Sequence, residues 1–407
     1  MTTAITSLAT AREHELVAFR RRLHANPEPS YAEHATTQAI AERLQVAGLR
    51  PQVLEIGTGL VCDVPGNAPG PMVVLRADID ALAMPDGTTT EYRSRREGVA
   101  HACGHDAHTA IVLGAGLVLR ALTEIDSVPG TVRLVFEPGE ESIPGGAVEI
   151  VREGWITGAA YVLGLHCDPK IDLGQIGLRA GALTAASDTV EIVVSGPGGH
   201  TARPQLTVNL VEVMSGLVSA LPREVRRRLG APEGAPGNGD DEVVVVFGAF
   251  HAGDAANVIP AHGTLRCSVR CADRAAWDRA ETVVRDVVAQ ILEASGATWE
   301  IDYRRGTPPV VNDASALRVL DVAARAVVGD GGVLEAPRSM GADTFAWFGD
   351  HAPSAYARLG THSGDRARRD LHASTFDIDE RAIAIGTRFL AEAALLALNG
   401  SGDARRG

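Results

Sequence analysis

Lysine is almost absent from this chain of 407 residues, and its scarcity excludes two classes of enzyme. The single lysine, Lys170, lies in the polar segment Asp168-Pro169-Lys170. A P-loop needs a lysine between a glycine and a serine or threonine, and a Schiff-base enzyme needs a lysine in a desolvated pocket. Lys170 has neither context. The sequence therefore excludes a P-loop ATPase and a pyridoxal enzyme that works through a lysine.

The chain also lacks an apolar run of membrane-spanning length and an excess of positive charge. Its 38 basic and 51 acidic residues leave a net charge of -13, which repels phosphate backbones and anionic lipids. With 45% hydrophobic and 22% charged residues, the composition is typical of a globular protein. We therefore expect neither a membrane nor a nucleic acid as partner.

Cysteine usage favours a reducing compartment. The five cysteines are an odd number and widely scattered, and the start of the chain carries no apolar signal segment. They are Cys62, Cys103, Cys167, Cys267 and Cys271. Because disulfide frameworks belong to oxidising compartments, we expect a cytoplasmic protein.

The length exceeds what one hydrophobic core usually organises, so two domains are expected. Helical patterns at 11–25 and 33–47 precede short apolar runs at 72–75, 132–136 and 159–165, which predicts an α/β sheet. Polar residues follow each run: Asp78 and Asp80, then Glu140 and Glu141, then His166. In such sheets ligands collect past the carboxyl ends of strands, so we expect these side chains to converge.

A second pattern starts near residue 187 and predicts an inserted α+β domain. Strands at 189–195, 242–250, 263–270 and 298–303 alternate with helices at 208–221 and around 277–291 in the order βαββαβ, which is the ferredoxin-like unit. A glycine- and proline-rich loop spans 230–240. We therefore predict a catalytic domain at 1–186 and 304–407, completed by helices at 314–328 and 378–398, with an insert at 187–303.

The densest set of chemically active side chains is the run from His101 to His108, which contains three histidines, Cys103 and Asp106. Thiolate, imidazole and carboxylate groups at this spacing suit a transition metal. Two alternatives remain open at this point. Asp106 could cap a helix beside solvated histidines, or Cys103 could be the nucleophile of a cysteine hydrolase.

Three further candidates are weaker when taken singly. Glu140 and Glu141 could be a solvated surface pair, and His166 could be an ordinary histidine at the end of a strand. His200, in a glycine-rich turn, could be an exposed loop residue or could be presented to a ligand. The occurrence of Asp78 and Asp80, of Glu140 and Glu141, and of His166 at the ends of three predicted strands favours a common site, whereas both alternatives for His200 stay open.

Taken together, these segments resemble the M20 metallopeptidase superfamily, in particular its amidohydrolase branch of N-acyl-amino-acid, hippurate and indole-acetyl-amino-acid hydrolases. The most specific segment is His-Ala-Cys-Gly-His-Asp at 101–106, because other branches carry an aspartate where Cys103 stands. The remaining matching segments are 21–28, 75–82, 136–141, 199–200, 257–260, 263–266 and 371–372.

The resemblance implies a site with two divalent metal ions, which could be zinc, manganese or cobalt. Cys103 would bridge them, and His105, Glu141, His166 and His372 would complete the ligand set, with His362 as a competitor for the last place. Glu140 would be the general base. Asp80, or else Asp78, would orient a ligand imidazole. The insert would form a homodimer in which His200 stabilises the oxyanion in the partner subunit's site, and Asn257 would face the substrate.

The implied function is metal-dependent hydrolysis of an N-acyl amino acid. A metallo-dipeptidase or carboxypeptidase is an alternative, and a non-catalytic metal-binding or redox-sensing protein is another. Several positions depart from the usual pattern. Ala83 and Met84 separate Asp80-Ala81-Leu82 from Pro85, where Asp-Ala-Leu-Pro is common, and Asp343-Thr344-Phe345 replaces Glu-Asp-Phe. After the His200 turn, Gln205 and Asn209 stand where His and Asp are frequent. The resemblance therefore does not predict which acyl group or which amino acid the substrate contains. The arginine-rich segment 365–370 could contact an anionic substrate or be solvated.

Overall fold

The computed structural model describes residues 2–230, 242–364 and 367–400. All but the first residue of the predicted loop at 230–240, and the start of the arginine-rich segment at 365–370, therefore lie outside the described residues. The described residues form nine α-helices: α1 Thr2–Thr10, α2 Glu13–Ala25, α3 His34–Val46, α4 His105–Leu122, α5 Gly146–Arg152, α6 Leu210–Leu229, α7 Arg274–Glu293, α8 Ala314–Val328 and α9 Arg381–Leu398. Short 3-10 helices span Pro204–Leu206, Asp330–Gly332 and Thr344–Asp350.

The strands are numbered in chain order: β1 Gln52–Val53, β2 Leu60–Pro65, β3 Ala68–Asp78, β4 Pro129–Glu137, β5 Ala159–Asp172, β6 Ile176–Leu178, β7 Gly181–Ala182, β8 Ser187–Ser195, β9 Gly199–His200, β10 Val243–Ala252, β11 Val258–Ile259, β12 His262–Cys271, β13 Thr298–Thr307, β14 Val311–Asn312, β15 Val333–Glu335 and β16 Ser354–His362. No helix in the described part of the chain is both long and apolar enough to cross a membrane.

The first of two units comprises Met1–Gly181, Val311–Pro337 and Thr344–Gly407. Its eight-stranded sheet has the order β1-β2-β4-β3-β5-β16-β6-β15. The four central strands, β4, β3, β5 and β16, are parallel to their neighbours within this set. Since parallel strands end at the same edge of a sheet, the polar residues at their carboxyl ends are brought together. The predicted α/β class is confirmed.

Helix α4 is buried along nearly its whole length, because its sequence is apolar on every face from Ala110 to Leu119. A helix that is hydrophobic all round belongs in a core. It packs on β3 and on α9, which is buried in the same core. The first residue of α4, His105, is therefore held at a fixed place beneath the edge of the sheet.

The largest differences between predicted and observed strand and helix boundaries lie at the ends of β5 and α6. Strand β5 continues through His166 to Asp172, because β16 pairs with it along its length, as far as the His362 and Asp172 register. His166 thus projects from within a strand. Helix α6 extends past Pro222 to Leu229, because Val225 and Leu229 continue the buried stripe of Leu217 and Leu221. The helix ends before Gly230, whose φ of 96° is the left-handed conformation typical of a glycine at a helix C-terminus.

The second unit comprises Ala182–Val310 and Arg338–Asp343, a wider set than the predicted insert at 187–303. Its sheet has the order β10-β12-β8-β13, and every neighbouring pair is antiparallel. Helices α6 and α7 pack against it. Alternate residues of β12, from Gly263 to Cys271, are buried, as expected for a sheet covered by helices on one face. The chain order of these elements is the predicted βαββαβ.

A buried carboxylate, Asp188, ties the strands of the second unit to α7. It accepts hydrogen bonds from Trp277 Nε1 at 2.9 Å, from Tyr303 Oη at 2.7 Å and from the backbone N–H of Gly306 at 2.9 Å. Asp188 is only 1% exposed, so water cannot replace it as the acceptor for these three donors.

We therefore expect Asp188→Ala to lower the free energy of unfolding by on the order of 3 kcal/mol, because it leaves buried donors without an acceptor. Urea denaturation followed by tryptophan fluorescence measures this. The matched control is Asp302→Ala, which removes an exposed carboxylate paired with Arg304 and should cost no more than about 1 kcal/mol. Equal losses in the two variants would contradict a structural role for Asp188.

Candidate metal centre

Six side chains meet in overlapping groups at the carboxyl edge of the first unit's sheet. Within each group the ligand atoms lie within 4.8 Å of one another. Three groups hold these six residues: Cys103, His105 and His166; Cys103, Glu141 and His372; and His105, Glu140 and Glu141. A fourth group, Asp78, His105 and His108, shares His105 with them. All five residues predicted as ligands, and the predicted base Glu140, are thus brought together.

The local backbone explains how adjacent residues point into one space. Gly104 separates Cys103 from His105 and has φ of 92°, a conformation that glycine adopts freely. A side chain there would also crowd Cys167, since a Cβ would lie 3.2 Å from the Cys167 Cβ. Chain reversal at Gly104 places Cys103 before α4 and His105 at its first turn.

The three histidines of this segment are buried: His101 is 2% exposed, and His105 and His108 are each 1% exposed. The alternative of solvated histidines is therefore wrong. Asp106 accepts a 2.7 Å hydrogen bond from Arg20 Nε and lies 2.7 Å from His24 Nδ1, so its carboxylate joins α4 to α2.

Asp80 connects three parts of the centre. Its Oδ2 accepts hydrogen bonds from Ser30 Oγ at 2.7 Å and from the backbone N–H of Glu141 at 3.0 Å. Its Oδ1 lies 3.1 Å from His105 Nδ1, and its backbone oxygen lies 3.0 Å from the same nitrogen. With two oxygen acceptors at Nδ1, the neutral imidazole of His105 keeps its proton there, which leaves the lone pair of Nε2 for a metal ion.

The available nitrogen of His105 points toward carboxylates. Its Nε2 lies 3.9 Å from Glu140 Oε2, 3.9 Å from Glu141 Oε1 and 3.7 Å from Asp78 Oδ2. This buried nitrogen lacks a hydrogen-bond partner of good geometry. A cation between His105 Nε2 and these carboxylates would give the nitrogen a partner. The residues therefore fit a metal site.

His166 and His372 enter from other elements. His166 Nε2 lies 3.5 Å from Cys103 Sγ, while its Nδ1 lies 2.7 Å from the Cys167 carbonyl oxygen. His372 has φ of 61°, unusual for a residue with a side chain, and its N–H donates to the Ala102 carbonyl oxygen. Its Nε2 lies 3.2 Å from Glu141 Oε1. The competing candidate, His362, lines a cleft with Thr90 and Arg369 and belongs to none of the ligand groups.

The site contacts a buried charge layer formed by Arg76, Asp78 and Glu137, of which only Asp78 was predicted from the sequence. Arg76 donates from Nε to Glu137 Oε2 at 2.7 Å and from Nη1 to Asp78 Oδ2 at 2.8 Å, and all three side chains are fully buried. Asp78 Oδ1 lies 2.6 Å from His108 Nδ1, and His108 Nε2 accepts from the Cys167 N–H. Both nitrogens of His108 are engaged, so it supports the site rather than supplying a ligand atom.

The electrostatics favour a cation over a reactive thiol. Burial raises the pKa of the Cys103 thiol well above its usual value, and although His105 lowers it, Glu141 and Glu140 raise it further. A nucleophilic cysteine needs a lowered pKa, so the cysteine hydrolase alternative loses support. Burial lowers the pKa of His105, but the Asp78 carboxylate and the interactions with Cys103 and Asp80 raise it well above its usual value. The negative charge that raises the pKa of His105 also attracts a cation, which would take the place of a proton on Nε2.

His200 and Asn257 lie in the second unit. His200 is on β9, which pairs with β11 through the His200 and Val258 register, and the N–H of Thr201 donates to the Asn257 carbonyl oxygen. Both side chains are exposed, and His200 Nδ1 accepts from the Ala202 N–H at 3.0 Å. The two residues predicted to contact substrate are therefore neighbours on one surface of that unit.

Comparison with known proteins identifies the class. The model of peptidase family M20/M25/M40 matches residues 74–396, and the chain belongs to this family. A crystal structure of the YxeP protein of Bacillus subtilis, a dinuclear metal-binding peptidase of the M20 family, has a TM-score of 0.82 and 28% sequence identity, with 96% of this chain and 99% of that chain covered.

Individual relatives differ in the activities they are named for. N-acetyl-L-cysteine deacetylase of Bacillus subtilis is 33% identical over 97% of this chain and 90% of its own length. Thermostable carboxypeptidase 2 of Saccharolobus solfataricus is 31% identical over 92% of this chain and 93% of its own length. A candidate glutamate–cysteine ligase 2-3 of Rhodococcus jostii is 40% identical over 93% of this chain, which spans only 46% of that relative. The predicted family is confirmed, and the chain is a hydrolase of this metal-binding family.

Cysteine substitution separates a ligand from a buried neighbour. We expect Cys103→Ala to weaken metal binding by at least about 10-fold, the loss that even an outer partner of a ligand typically causes. Cys167→Ala is the control, because Cys167 is fully buried beside Gly104 but belongs to no ligand group. Metal content after dialysis against a metal buffer measures both. Undiminished binding in Cys103→Ala would remove Cys103 from the site.

Proposed function

We propose that this chain is a metal-dependent amidohydrolase that cleaves the amide bond of N-acylated amino acids. The placement of Glu140 carries the proposal. Its Oε2 lies 3.9 Å from His105 Nε2, and its Oε1 accepts a 3.1 Å hydrogen bond from the N–H of Thr344. Glu141 belongs to two of the ligand groups, one with Cys103 and His372 and one with His105, whereas Glu140 belongs only to the second. We therefore assign Glu141 to the metal and Glu140 to the attacking water, a role that metal storage would not need.

The residues that would hold two divalent cations are Cys103, His105, Glu141, His166 and His372. Sulfur, imidazole and carboxylate ligands suit zinc, manganese or cobalt. When bound, such ions supply Lewis acidity, which lowers the pKa of water from 15.7 to about 7. The similarity to a dinuclear metal-binding peptidase supports a site for two ions.

Glu140 would move the proton. Its Oε2 faces the centre, so it can take a proton from the attacking water and return it to the leaving amine, acting as base and then as acid within one turnover. Asp80, held by Ser30 and by the Glu141 N–H, would keep the imidazole of His105 in its required tautomer.

The second unit would supply the remaining contacts through a homodimer. Strand β10 is at the edge of its sheet and exposes Val246 and Phe250, which are 55% and 39% exposed. An edge strand with exposed apolar residues is a surface that a second copy can cover. By resemblance to the family, His200 would then stabilise the oxyanion in the partner subunit's site, and Asn257 would face the substrate.

A carboxypeptidase or dipeptidase is the second candidate, because a carboxypeptidase is among the similar proteins. Rates on unblocked dipeptides beside acylated amino acids separate the two. The similarity to an N-acetyl-L-cysteine deacetylase favours acylated amino acids as the substrates of this chain. All five cysteines are free thiols, which supports a reducing, cytoplasmic location as part of the proposal.

We expect Glu140→Gln to lower kcat for N-acyl amino acid hydrolysis by about 10²- to 10⁴-fold, because it removes general-base catalysis. Metal content should stay at the wild-type level. Glu141→Gln is the matched neighbour and should lose metal as well as activity. Elemental analysis of the two variants beside their steady-state rates tests this. A Glu140→Gln enzyme at full rate would refute the proposed mechanism.

Mixed dimers test the role of His200. Glu140→Gln and His200→Ala homodimers should both be nearly inactive. A dimer with one chain of each kind has one complete site, so it should regain roughly half of the wild-type rate. Co-expression with two affinity tags isolates this species. Mixed dimers as inactive as their parents would show that His200 does not serve the partner subunit.

A further inference from the structure

Thr344 touches both the buried charge layer and the proposed base. It opens the 3-10 helix Thr344–Asp350 and is 2% exposed. Its hydroxyl donates to Glu137 Oε1 at 2.6 Å and accepts from Arg76 Nη2 at 3.1 Å. Its backbone N–H donates to Glu140 Oε1 at 3.1 Å. One residue therefore joins an internal ion pair to the carboxylate that faces the metal centre.

The groups that hold the hydroxyl are themselves fixed. Arg76 and Glu137 project from the neighbouring strands β3 and β4, pair at 2.7 Å and are fully buried. Glu137 Oε1 also accepts from the N–H of Ala147 in the first turn of α5. On its other side the Thr344 methyl lies against Gly145, where any Cβ would overlap it. These contacts fix the position of the Thr344 hydroxyl.

The two oxygens of Glu140 have different surroundings. Oε1 is on the Thr344 N–H, and Oε2 is 3.9 Å from His105 Nε2. Hydrogen bonds hold the loop on both sides of Glu140. The Gly139 N–H donates to Glu33 Oε1 at 2.7 Å, and the Glu141 N–H donates to Asp80 Oδ2. These bonds fix the backbone, whereas the bond from Thr344 acts on the carboxylate itself.

We propose that Thr344 is a positioning residue for Glu140: its hydroxyl, held by Arg76 and Glu137, places the N–H that binds Oε1, so that Oε2 is presented to the metal centre. This inference rests on the proposed function only in taking Glu140 as the base. Displacing a reacting group by about 1 Å can cost 10²-fold in rate, so loss of this alignment has a measurable effect.

The hydroxyl is the group to remove. In Thr344→Val the side-chain shape is kept, but Glu137 and Arg76 each lose a buried partner, which forces them or the 344 backbone to shift. Thr344→Ser keeps the hydroxyl and loses only the methyl. Comparison of the two variants therefore separates the hydrogen bonds from packing.

We expect Thr344→Val to lower kcat by about 10- to 100-fold with KM within about 2-fold of wild type, because the alignment and not substrate binding is lost. Metal content should be unchanged. Thr344→Ser should keep kcat within about 3-fold of wild type. Wild-type kcat in Thr344→Val, or a Thr344→Ser enzyme as slow as Thr344→Val, would overturn the proposal.

Crystal structures of the metal-loaded wild type and Thr344→Val separate this proposal from the proposed function. The expected result is that Glu140 Oε1 leaves the residue 344 N–H in the variant. If that hydrogen bond persists in Thr344→Val, the positioning role fails whatever the substrate. If the bond is lost but the wild type hydrolyses no acylated amino acid, the proposed function fails while the positioning of Glu140 stands.

Discussion

The architecture of the centre depends on the buried guanidinium of Arg76 between the carboxylates of Asp78 and Glu137. Burying an ion costs several kcal/mol unless partners compensate, and here two carboxylates and the Tyr356 hydroxyl do so. One positive charge between two negative ones leaves the layer net negative. Its Asp78 carboxylate lies 2.6 Å from His108 Nδ1 and 3.7 Å from His105 Nε2, so this negative charge favours a cation near His105.

From this layer, hydrogen bonds lead outward in two directions. Through Asp78 and His108 they reach the backbone of Cys167, which follows His166 in β5. Through Thr344 they reach Glu140. One branch thus supports a proposed ligand and the other the proposed base. Buried ion pairs add little to the stability of a fold, because removing the charges from water costs about as much as their attraction contributes. A role in orienting the site therefore explains the layer better than stability does.

The sequence patterns located the candidate ligands and the candidate base, but not the residues that hold them in place. The run from His101 to His108 and the acids after β4 were found because ligand types cluster there and follow strands. Arg76 and Thr344 carry no such signal, since their partners lie on other elements and depend on strand pairing. His166 was placed after its strand because apolarity ends there, although pairing with β16 continues. Spacing alone did not separate His372 from His362; the reversal at His372, with its positive φ, brings it to Cys103.

The most direct test of the central claim is anomalous diffraction from crystals of the metal-loaded chain. The account predicts two peaks in contact with the Cys103 sulfur, with His105, His166, Glu141 and His372 completing the contacts and His108 touching neither ion. A metal bound elsewhere, or one held by His108 and Asp78 with Cys103 unengaged, would contradict it.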